Sequence, residues 1–461
     1  MAIAPNSPAA RDIAYALHPY TNLQTHQKEG SLIIREGKGV YVYDESGKEY
    51  IEGLAGLWST SLGWGQERLV EAATKAMRKL PYYHQFGAKA HEAGIDLAER
   101  LIKMSPVPMS KAFFTNSGSE ANDTAIKIIW YYNAVRGKPE KKKIISRLRA
   151  YHGVTLATAS LTGLPHLHKY FGLPIGEVKH TSCPHHYRNA IPGESEEDFA
   201  TRMAADLEKM IADEGAETIA AMFAEPIMGA GGVIVPPRTY FEKIQAVLKK
   251  HDILFVVDEV ICGFYRTGNA WGSETFGLKP DILTCAKALS SSYIPIASVM
   301  ITEPIFQELM KGSAEVGNWG HGYTYSGHPV ACAVALETLA IYEDTDILGH
   351  VRRTSPILQN GMRRFADHPM VGEVRGVGLI GAIELVKDKK TKASFNPADG
   401  VGALLAGRTQ ANGLLVRAIG DTIAFCPPLI ITEAEISEML ERFGKSLDEA
   451  YALAKEKMLV A

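Results

Sequence analysis

Residues 218–259 carry two apolar runs on either side of a helical pattern: TIAAMFAE (218–225), YFEKIQAVLKK (240–250) and DILFVVDE (252–259). A short apolar run is typical of a buried strand, and apolar residues repeated every three or four positions indicate an amphipathic helix. Two buried strands joined through a helix lie parallel in one sheet. This stretch therefore predicts an α/β fold with a mostly parallel sheet flanked by helices.

The same pattern extends in both directions along the chain. Further strands are predicted at KAFFTN (111–116), KKIISR (142–147), DILTCAK (281–287) and ASVMIT (297–302), and a further helix at 204–213. After about Gly327 a long helical pattern (330–342) precedes shorter strand-like stretches, which indicates a smaller α+β domain. We predict an amino-terminal segment (1–60) that packs with the small domain, a large domain (61–327) and the small domain (328–461).

Composition excludes several classes of function. The 461 residues include 49 Lys+Arg and 52 Asp+Glu, a net charge of −3, so no broad basic surface is available for nucleic acid or an anionic membrane. No run reaches the roughly 20 apolar residues of a membrane span. The amino terminus lacks the pattern of a signal peptide, and the five cysteines form no CxxC pair, so we expect a cytoplasmic protein.

Polar residues follow three of the predicted strands. Ser117, Gly118 and Ser119 come after KAFFTN, Asp258 closes the run ILFVV, and Lys287 closes DILTCAK. Small residues at a helix amino terminus favour phosphate, a buried carboxylate needs a donor or cation, and a lysine removed from water can act as a nucleophile. Each has an ordinary structural explanation when taken singly: a helix cap, a core ion pair and a surface lysine.

These three features together match the needs of one cofactor. Ligands gather at the carboxyl ends of parallel strands, and pyridoxal 5′-phosphate requires donors for its phosphate, an anion for its ring nitrogen and a lysine for its aldehyde. We therefore predict that the protein binds pyridoxal phosphate, with Lys287 as its covalent anchor and Asp258 beside the ring nitrogen.

Six motifs extend this interpretation to a family. They are TNSGSEAND (115–123), AYHG (150–153), EPIMGAGG (225–232), DEVICGFYRTG (258–268), KPDILTCAKAL (279–289) and GYTYSGHPVAC (322–332). In order and spacing they resemble the class III pyridoxal-phosphate aminotransferases, specifically the pyruvate-dependent ω-aminotransferases, over nearly the whole chain. The resemblance implies a fold-type I transferase whose large domain binds the cofactor.

The resemblance also implies roles for individual residues. The catalytic pair is Lys287 and Asp258, and the other cofactor contacts are Ser117, Gly118, Ser119, Tyr151, Glu225, Val260 and Thr324. Thr324 matches a phosphate ligand that the second subunit supplies, so the resemblance implies a homodimer with shared active sites and leaves a tetramer open. Trp58, Phe86, Tyr151 and Arg417 match substrate-binding positions, with Arg417 pairing to a substrate carboxylate. The run Ser290–Ser292 departs from the usual family loop after the lysine.

The implied reaction moves an amino group from an ω-amino acid or primary amine to pyruvate. β-Alanine, 4-aminobutyrate, a diamine, taurine and an arylalkylamine all remain open as donors. A class III racemase or aminomutase with the same lysine is the alternative, and it would need no keto acid.

Three other patterns point to functions that we disfavour. The sequence GVGLIG (376–381) fits the dinucleotide fingerprint of an oxidoreductase, but a strand-like stretch follows it. GAGG (229–232) lacks the Lys-Ser/Thr of a nucleotide-binding loop. The group His180, Cys183, His185 and His186 lacks a second ligand pair, so no metal is predicted. A non-catalytic binding module is disfavoured because Lys287, Asp258 and the phosphate loop are all present.

Overall fold

The computed structural model describes residues 3–460, which form fifteen strands and sixteen α-helices. The strands are β1 (Ile34–Lys38), β2 (Tyr41–Asp44), β3 (Glu49–Glu52), β4 (Lys111–Thr115), β5 (Lys143–Arg147), β6 (Val178–Thr181), β7 (Ile219–Ala224), β8 (Leu254–Asp258), β9 (Ile282–Cys285), β10 (Ala297–Ile301), β11 (Val371–Val377), β12 (Ile380–Leu385), β13 (Leu414–Leu415), β14 (Arg417–Ile419) and β15 (Thr422–Phe425). The helices are α1 (Pro8–Tyr15), α2 (Leu23–Glu29), α3 (Ala55–Trp58), α4 (Glu67–Lys79), α5 (Glu92–Met104), α6 (Gly118–Val135), α7 (Leu156–Leu161), α8 (His186–Asn189), α9 (Glu196–Glu214), α10 (Tyr240–Lys250), α11 (Gly272–Phe276), α12 (Glu303–Val316), α13 (Pro329–Asp344), α14 (Ile347–Arg363), α15 (Val401–Ala411) and α16 (Glu433–Glu456).

The central sheet has seven strands in the order β4-β10-β9-β8-β7-β5-β6. Strand β10 runs antiparallel to both of its neighbours, and all other pairings are parallel. Strand β7 is buried along its whole length, as expected for a strand that has helices on both faces of its sheet. Strand β6 was not predicted, because VKHT alternates too briefly to give a strand signal.

The direction of these strands decides where the polar residues meet. Because β10 alone is reversed, β4, β5, β7, β8 and β9 all point their carboxyl ends to one edge of the sheet. The residues at or just after those five ends are the serine–glycine turn, the AYHG segment, Glu225, Asp258 and Lys287. The sheet therefore gathers in space five motifs that are far apart in the sequence.

Two smaller four-stranded sheets complete the molecule. One has the order β11-β12-β15-β14, and the other joins β1, β2 and β3 to β13. The parallel pairing of β3 with β13 connects the amino-terminal segment to the carboxyl-terminal third of the chain. The two boundaries between the three predicted units, after residues 60 and 327, remain predictions.

Local signals account for most helix boundaries. Ser117 caps α6 by accepting a hydrogen bond from the Glu120 N–H at 3.2 Å, and Ser195 caps α9 in the same way through the Asp198 N–H at 3.1 Å. Helix α9 therefore begins at Glu196 rather than at 204 as its apolar spacing predicted, because a serine cap and an acidic first turn extend it towards the amino terminus.

The GVGLIG segment forms part of a hairpin. Strands β11 and β12 pair antiparallel, with Val377 opposite Ile380, and no helix begins at this turn. A dinucleotide site needs a strand–turn–helix at the fingerprint, so the described structure gives the oxidoreductase alternative no support. No helix among residues 3–460 is long and apolar enough to cross a bilayer.

Candidate active site

A cavity of about 640 Å³ opens at the carboxyl edge of the central sheet. It is lined by Pro19, Tyr20, Leu57, Trp58, Ser117, Gly118, Ser119, Asn122, Tyr151, His152, Gly153, Glu225, Ile227, Ala230, Asp258, Val260, Ile261, Ala286, Lys287, Arg417 and Ala418. All but two of the predicted site residues are among them. The exceptions are Phe86 and Thr324.

One wall of the cavity is the amino terminus of α6. This eighteen-residue helix begins at Gly118, so its first backbone N–H groups and the positive end of its dipole lie at Ser117, Gly118 and Ser119. A Cβ atom on Gly118 would lie 3.1 Å from Val260 Cγ2, so a side chain there would crowd the cavity wall. The turn therefore combines donors for an anion with room for a ligand to approach the backbone closely.

Asp258 lies at the floor of the cavity in a network of donors. Its Oδ2 accepts hydrogen bonds from Asn122 Nδ2 at 2.7 Å and from His152 Nδ1 at 2.8 Å, and its Oδ1 accepts one from the Val260 N–H at 3.0 Å. Asn122 is held in turn by Thr284, whose hydroxyl donates to Asn122 Oδ1 at 2.8 Å. The carboxylate is thus fixed in orientation, and both of its oxygens accept hydrogen bonds.

Lys287 projects into the cavity from the turn that follows β9. Burial lowers the pKa of its amine, while the negative charges of Asp258 and Glu225 act in the opposite direction. Arg417 adds a smaller effect in the same direction as burial. A lysine with a lowered pKa has more of its amine in the neutral, nucleophilic form.

Glu225 follows β7 and is buried at the side of the cavity. Its Oε1 accepts a hydrogen bond from the Tyr151 N–H at 3.1 Å and its Oε2 accepts one from the Gly229 N–H at 3.0 Å. Burial raises the pKa of this carboxyl, while the positive charge of Arg147 opposes the shift. Glu225 thereby ties the AYHG segment to the turn that carries Ala230.

The opposite side of the cavity comes from parts of the chain outside the central sheet. Trp58 lies in the strained turn after β3, and Arg417 begins β14. The Tyr20 hydroxyl lies 3.3 Å from the Tyr151 hydroxyl, so the amino-terminal segment covers part of the cavity. Pro19, Tyr20 and Leu57 carried no periodic or motif signal in the sequence and were missed, whereas His152 and Asn122 lie inside quoted motifs and could have been found there.

Phe86 and Thr324 lie together outside this cavity. Phe86 is 50% exposed and packs near Gly322, where an added Cβ would meet Phe86 Cζ at 2.9 Å. The Tyr82 hydroxyl donates to the Thr324 carbonyl at 2.8 Å. Phe86 does not line the cavity of its own chain, because residues 82–86 pack against the 322–327 segment. Its role as a second wall of the substrate pocket stays a prediction.

The residues present fit pyridoxal phosphate. The α6 turn offers donors for a phosphate, Asp258 offers an oriented carboxyl group, and Lys287 offers an amine of lowered pKa. Tyr151 and Val260 line the cavity beside them. Gly118 leaves free the space that a Cβ would occupy.

One histidine of the group His180, Cys183, His185 and His186 has a carboxylate partner. The Nε2 of His185 is hydrogen-bonded to Glu373 Oε2 at 2.8 Å.

Comparisons with known proteins agree with this site. A family model described as aminotransferase class-III matches residues 23–447. Gamma aminobutyrate transaminase 1, mitochondrial, of Solanum lycopersicum is 51% identical over 441 residues, covering 95% of this chain and 86% of that protein. The omega transaminase from Pseudomonas jessenii in complex with PMP has 55% identity and a TM-score of 0.96, covering 97% of this chain and 99% of that one. A thermostable omega transaminase variant, W58M/F86L/R417L, engineered for asymmetric synthesis of enantiopure bulky amines, has a TM-score of 0.96 with 55% identity, covering 97% of this chain and 100% of that one.

Proposed function

The chain belongs to the class III aminotransferase family, and from that premise we propose that it transfers the amino group of an ω-amino acid or primary amine to pyruvate. The protein is a pyridoxal-phosphate-dependent transaminase of fold type I, which confirms the predicted fold, family, cofactor and reaction class. The choice of donor, the use of pyruvate and the role of each site residue are the proposal.

When bound, pyridoxal phosphate supplies an aldehyde that accepts the amino group and a ring that stores the electrons released at the donor carbon. Lys287 is proposed to hold the cofactor covalently and, once displaced by a donor amine, to move the proton from the donor carbon. Its lowered pKa supports this role, because a base of that kind must be uncharged before it takes a proton. Asp258 is proposed to hold a proton on the ring nitrogen, supported by its fixed orientation.

The observation that carries the substrate proposal is Arg417 on the rim of the cavity that Lys287 enters. A guanidinium group binds a planar carboxylate through two parallel hydrogen bonds. Pyruvate presents such a carboxylate next to the carbonyl that must reach the cofactor. Trp58 and Tyr151 limit the space on the remaining sides, so the donor is proposed to be a slender chain or a flat aryl group.

Relatives support the same substrate class. Relatives of this chain are named gamma aminobutyrate transaminases and omega transaminases. The engineered relative carries substitutions W58M, F86L and R417L, and those positions have the same residue types and numbers as Trp58, Phe86 and Arg417 here. This agreement supports the three as substrate-binding residues.

A homodimer with shared active sites is part of the proposal. Phe86 and Thr324 lie together on an exposed aromatic surface formed by Tyr82, Tyr83 and Tyr325. A second copy of this chain that covered this surface could bring both residues to the neighbouring cavity. The cytoplasm is proposed as the location, because the five cysteines are all free and buried, as is usual in a reducing compartment.

The proposal is tested with a panel of donors. Purified protein loaded with pyridoxal phosphate is incubated with pyruvate and, separately, β-alanine, 4-aminobutyrate, putrescine, taurine or an arylalkylamine, and the alanine formed is measured. Alanine formation with at least one donor, and none without pyruvate, is the expected result. Conversion of an amino compound without any keto acid would favour the racemase or aminomutase reaction instead.

A further inference from the structure

Glu52 lies where two substrate-facing segments join. It is the last residue of β3 and is paired with Leu415 of β13, and the next N–H, that of Gly53, donates to the Leu415 carbonyl at 2.9 Å. From this point β3 leads into the turn that carries Trp58, while β13 leads through one residue to Arg417. Glu52 itself does not line the cavity.

The Glu52 carboxylate is buried without a cation. Its side chain is 7% exposed, and Oε1 accepts a hydrogen bond from the Leu54 N–H at 3.0 Å. Burial raises its pKa to about 7, and no charged neighbour contributes to that shift. Burial of a carboxylate here lowers the stability of the folded protein, whereas an apolar side chain would not lower it. The presence of Glu52 therefore indicates a role for its contacts with the turn.

The turn that receives this carboxylate is strained. Ala55 has φ 48°, Gly56 has φ 66° and Trp58 has φ 64°, so two residues with side chains adopt the left-handed conformation. Such residues persist only where the surroundings fix them. The Trp58 N–H donates to the Leu54 carbonyl at 2.8 Å, so the residue that Glu52 holds is also the residue that closes the turn onto Trp58.

We propose that Glu52 is a positioning residue for substrate selection. Its carboxylate holds residues 54–58 in the strained turn and, through the pairing of β3 with β13, keeps Trp58 and Arg417 at a fixed spacing across one cavity. One buried side chain thus fixes the positions of both Trp58, which limits donor size, and Arg417, which binds the keto acid. This inference rests on the proposed function only for the identity of the substrates that the cavity binds.

The first test measures hydrogen exchange of the peptide covering residues 53–60 in the cofactor-loaded enzyme. Glu52→Leu removes both carboxylate oxygens, and Glu52→Gln leaves one oxygen that can accept from the Leu54 N–H. We expect exchange in this peptide to rise by about tenfold in Glu52→Leu and by a smaller factor in Glu52→Gln. Exchange equal to the wild type in both variants would overturn the proposal. If Glu52→Leu does not fold, Glu52→Gln alone decides by the same criterion.

Asp281→Asn is the matched control. Asp281 is also a carboxylate without a cation, and it accepts a hydrogen bond from the Phe255 N–H at 2.8 Å. It precedes β9 and so lies at the opposite edge of the central sheet from the cavity. This variant should leave exchange at residues 53–60 unchanged. A rise there as large as in the Glu52 variants would show a general loss of stability and overturn the proposal.

The second test measures kinetics in the same proteins. A positioning role predicts that Glu52→Leu raises KM for pyruvate by about tenfold and changes the ratio of kcat/KM between an arylalkylamine and a small donor, with partial rescue in Glu52→Gln. An equal fall in kcat/KM for every substrate would contradict it. A wild-type enzyme that forms no alanine from pyruvate would refute the proposed function, and the exchange measurement would then decide on Glu52 by itself.

Discussion

Asp258 and Arg417 differ in how firmly their side chains are held in the cavity. Asp258 is held by Asn122, His152 and the Val260 N–H, so its orientation is fixed before any ligand arrives. Arg417 lies on the rim at the start of β14. The first arrangement suits a permanent partner such as a cofactor, and the second suits a substrate that binds and leaves.

Replacement of Arg417 tests the role of the rim. Arg417→Ala should raise KM for pyruvate by about 10–100-fold, because a charge-assisted pair of hydrogen bonds is lost. A primary amine without a carboxylate should lose less than about threefold in kcat/KM. Steady-state kinetics with each substrate varied in turn give both values.

Arg417→Lys is the matched variant for this prediction. It keeps the positive charge but not the two-pronged geometry, so its KM for pyruvate should fall between those of the wild type and Arg417→Ala. Equal losses for pyruvate and the carboxylate-free amine in Arg417→Ala would contradict a selective role.

The sequence predicted the cavity residues that lie at strand ends, but it did not predict all of the residues that surround them in space. Lys287 and Asp258 follow short apolar runs, and their occurrence together with the serine–glycine turn at strand ends predicted a shared ligand site in a parallel sheet. Tyr20 reaches the cavity only because the amino-terminal segment folds back over Tyr151. That contact spans 131 residues and has no local signal. Phe86 matched a family position, yet the packing of residues 82–86 on the 322–327 segment could not be read from its neighbours in sequence.

At the level of elements, the end of β8 carries two adjacent carboxyls with different tasks. Asp258 faces the cavity, whereas Glu259 points away and accepts hydrogen bonds from the Gly272 N–H at 3.0 Å and the Ser273 N–H at 2.6 Å. Glu259 thus anchors the start of α11 behind the active site. Alternation of side chains along an extended segment explains the division.

The pH dependence of stability should report Glu259. Burial raises the pKa of Glu259 from 4.5 to about 7, so the folded protein binds this proton more tightly than the unfolded chain. The resulting stability is fully present below about pH 4.5 and is lost as the pH rises through about 7. Glu259→Gln should therefore show a smaller fall in the free energy of unfolding between about pH 5 and pH 8 than the wild type.

Urea unfolding at a series of pH values measures this difference. Lys249→Ala, a change at an exposed residue near the end of α10, serves as the control and should keep the wild-type slope. An unchanged slope in Glu259→Gln would contradict the assignment of this carboxyl to a proton-binding role in the folded state.

The ends of a helix or strand were predicted best where its apolar pattern extended over its whole length. The helix pattern at 240–250 matches α10 because its apolar face and its ends coincide. Helix α9 was placed too late because its first turn is acidic rather than apolar, and β6 was missed because four residues are too few to show a period. The single antiparallel strand β10 was not distinguished from its parallel neighbours, since all buried strands are apolar on both faces.

At the scale of the whole molecule, the active site depends on the order of strands rather than on any one segment. Five strands that point the same way bring residues from Ser117 to Lys287 to one edge. The amino-terminal segment and β14 then close the cavity from the other side. Periodicity predicted the parallel α/β sheet and the gathering of polar residues at its strand ends, and the resemblance added the family. The shape of the cavity depends instead on tertiary contacts such as the pairing of β3 with β13.

A shared site makes a prediction about mixed dimers. If Thr324 contacts the cofactor phosphate of the partner's site, as proposed, Lys287→Ala and Thr324→Asp should each be inactive alone. The first variant lacks the amine, and the second places a negative charge beside the phosphate. In a mixed dimer one of the two sites regains both native residues. After unfolding and refolding of an equal mixture, random pairing should restore about one quarter of the wild-type activity.

The matched control mixes Lys287→Ala with Asp258→Asn. If both of these residues belong to the same chain's site, each site in a mixed dimer remains defective and activity should not return. No recovery in the Lys287→Ala and Thr324→Asp mixture would place Thr324 outside the partner's active site.

The most direct test of the central claim follows the visible absorbance of the cofactor-loaded protein through one cycle. Addition of an amine donor alone should bleach the yellow colour, and addition of pyruvate afterwards should restore it with one alanine formed per site, because the amino group is stored on the enzyme between the two steps. Lys287→Ala should not complete this cycle. A yellow protein that no donor bleaches, or one whose colour returns without a keto acid, would contradict an aminotransferase reaction at this site.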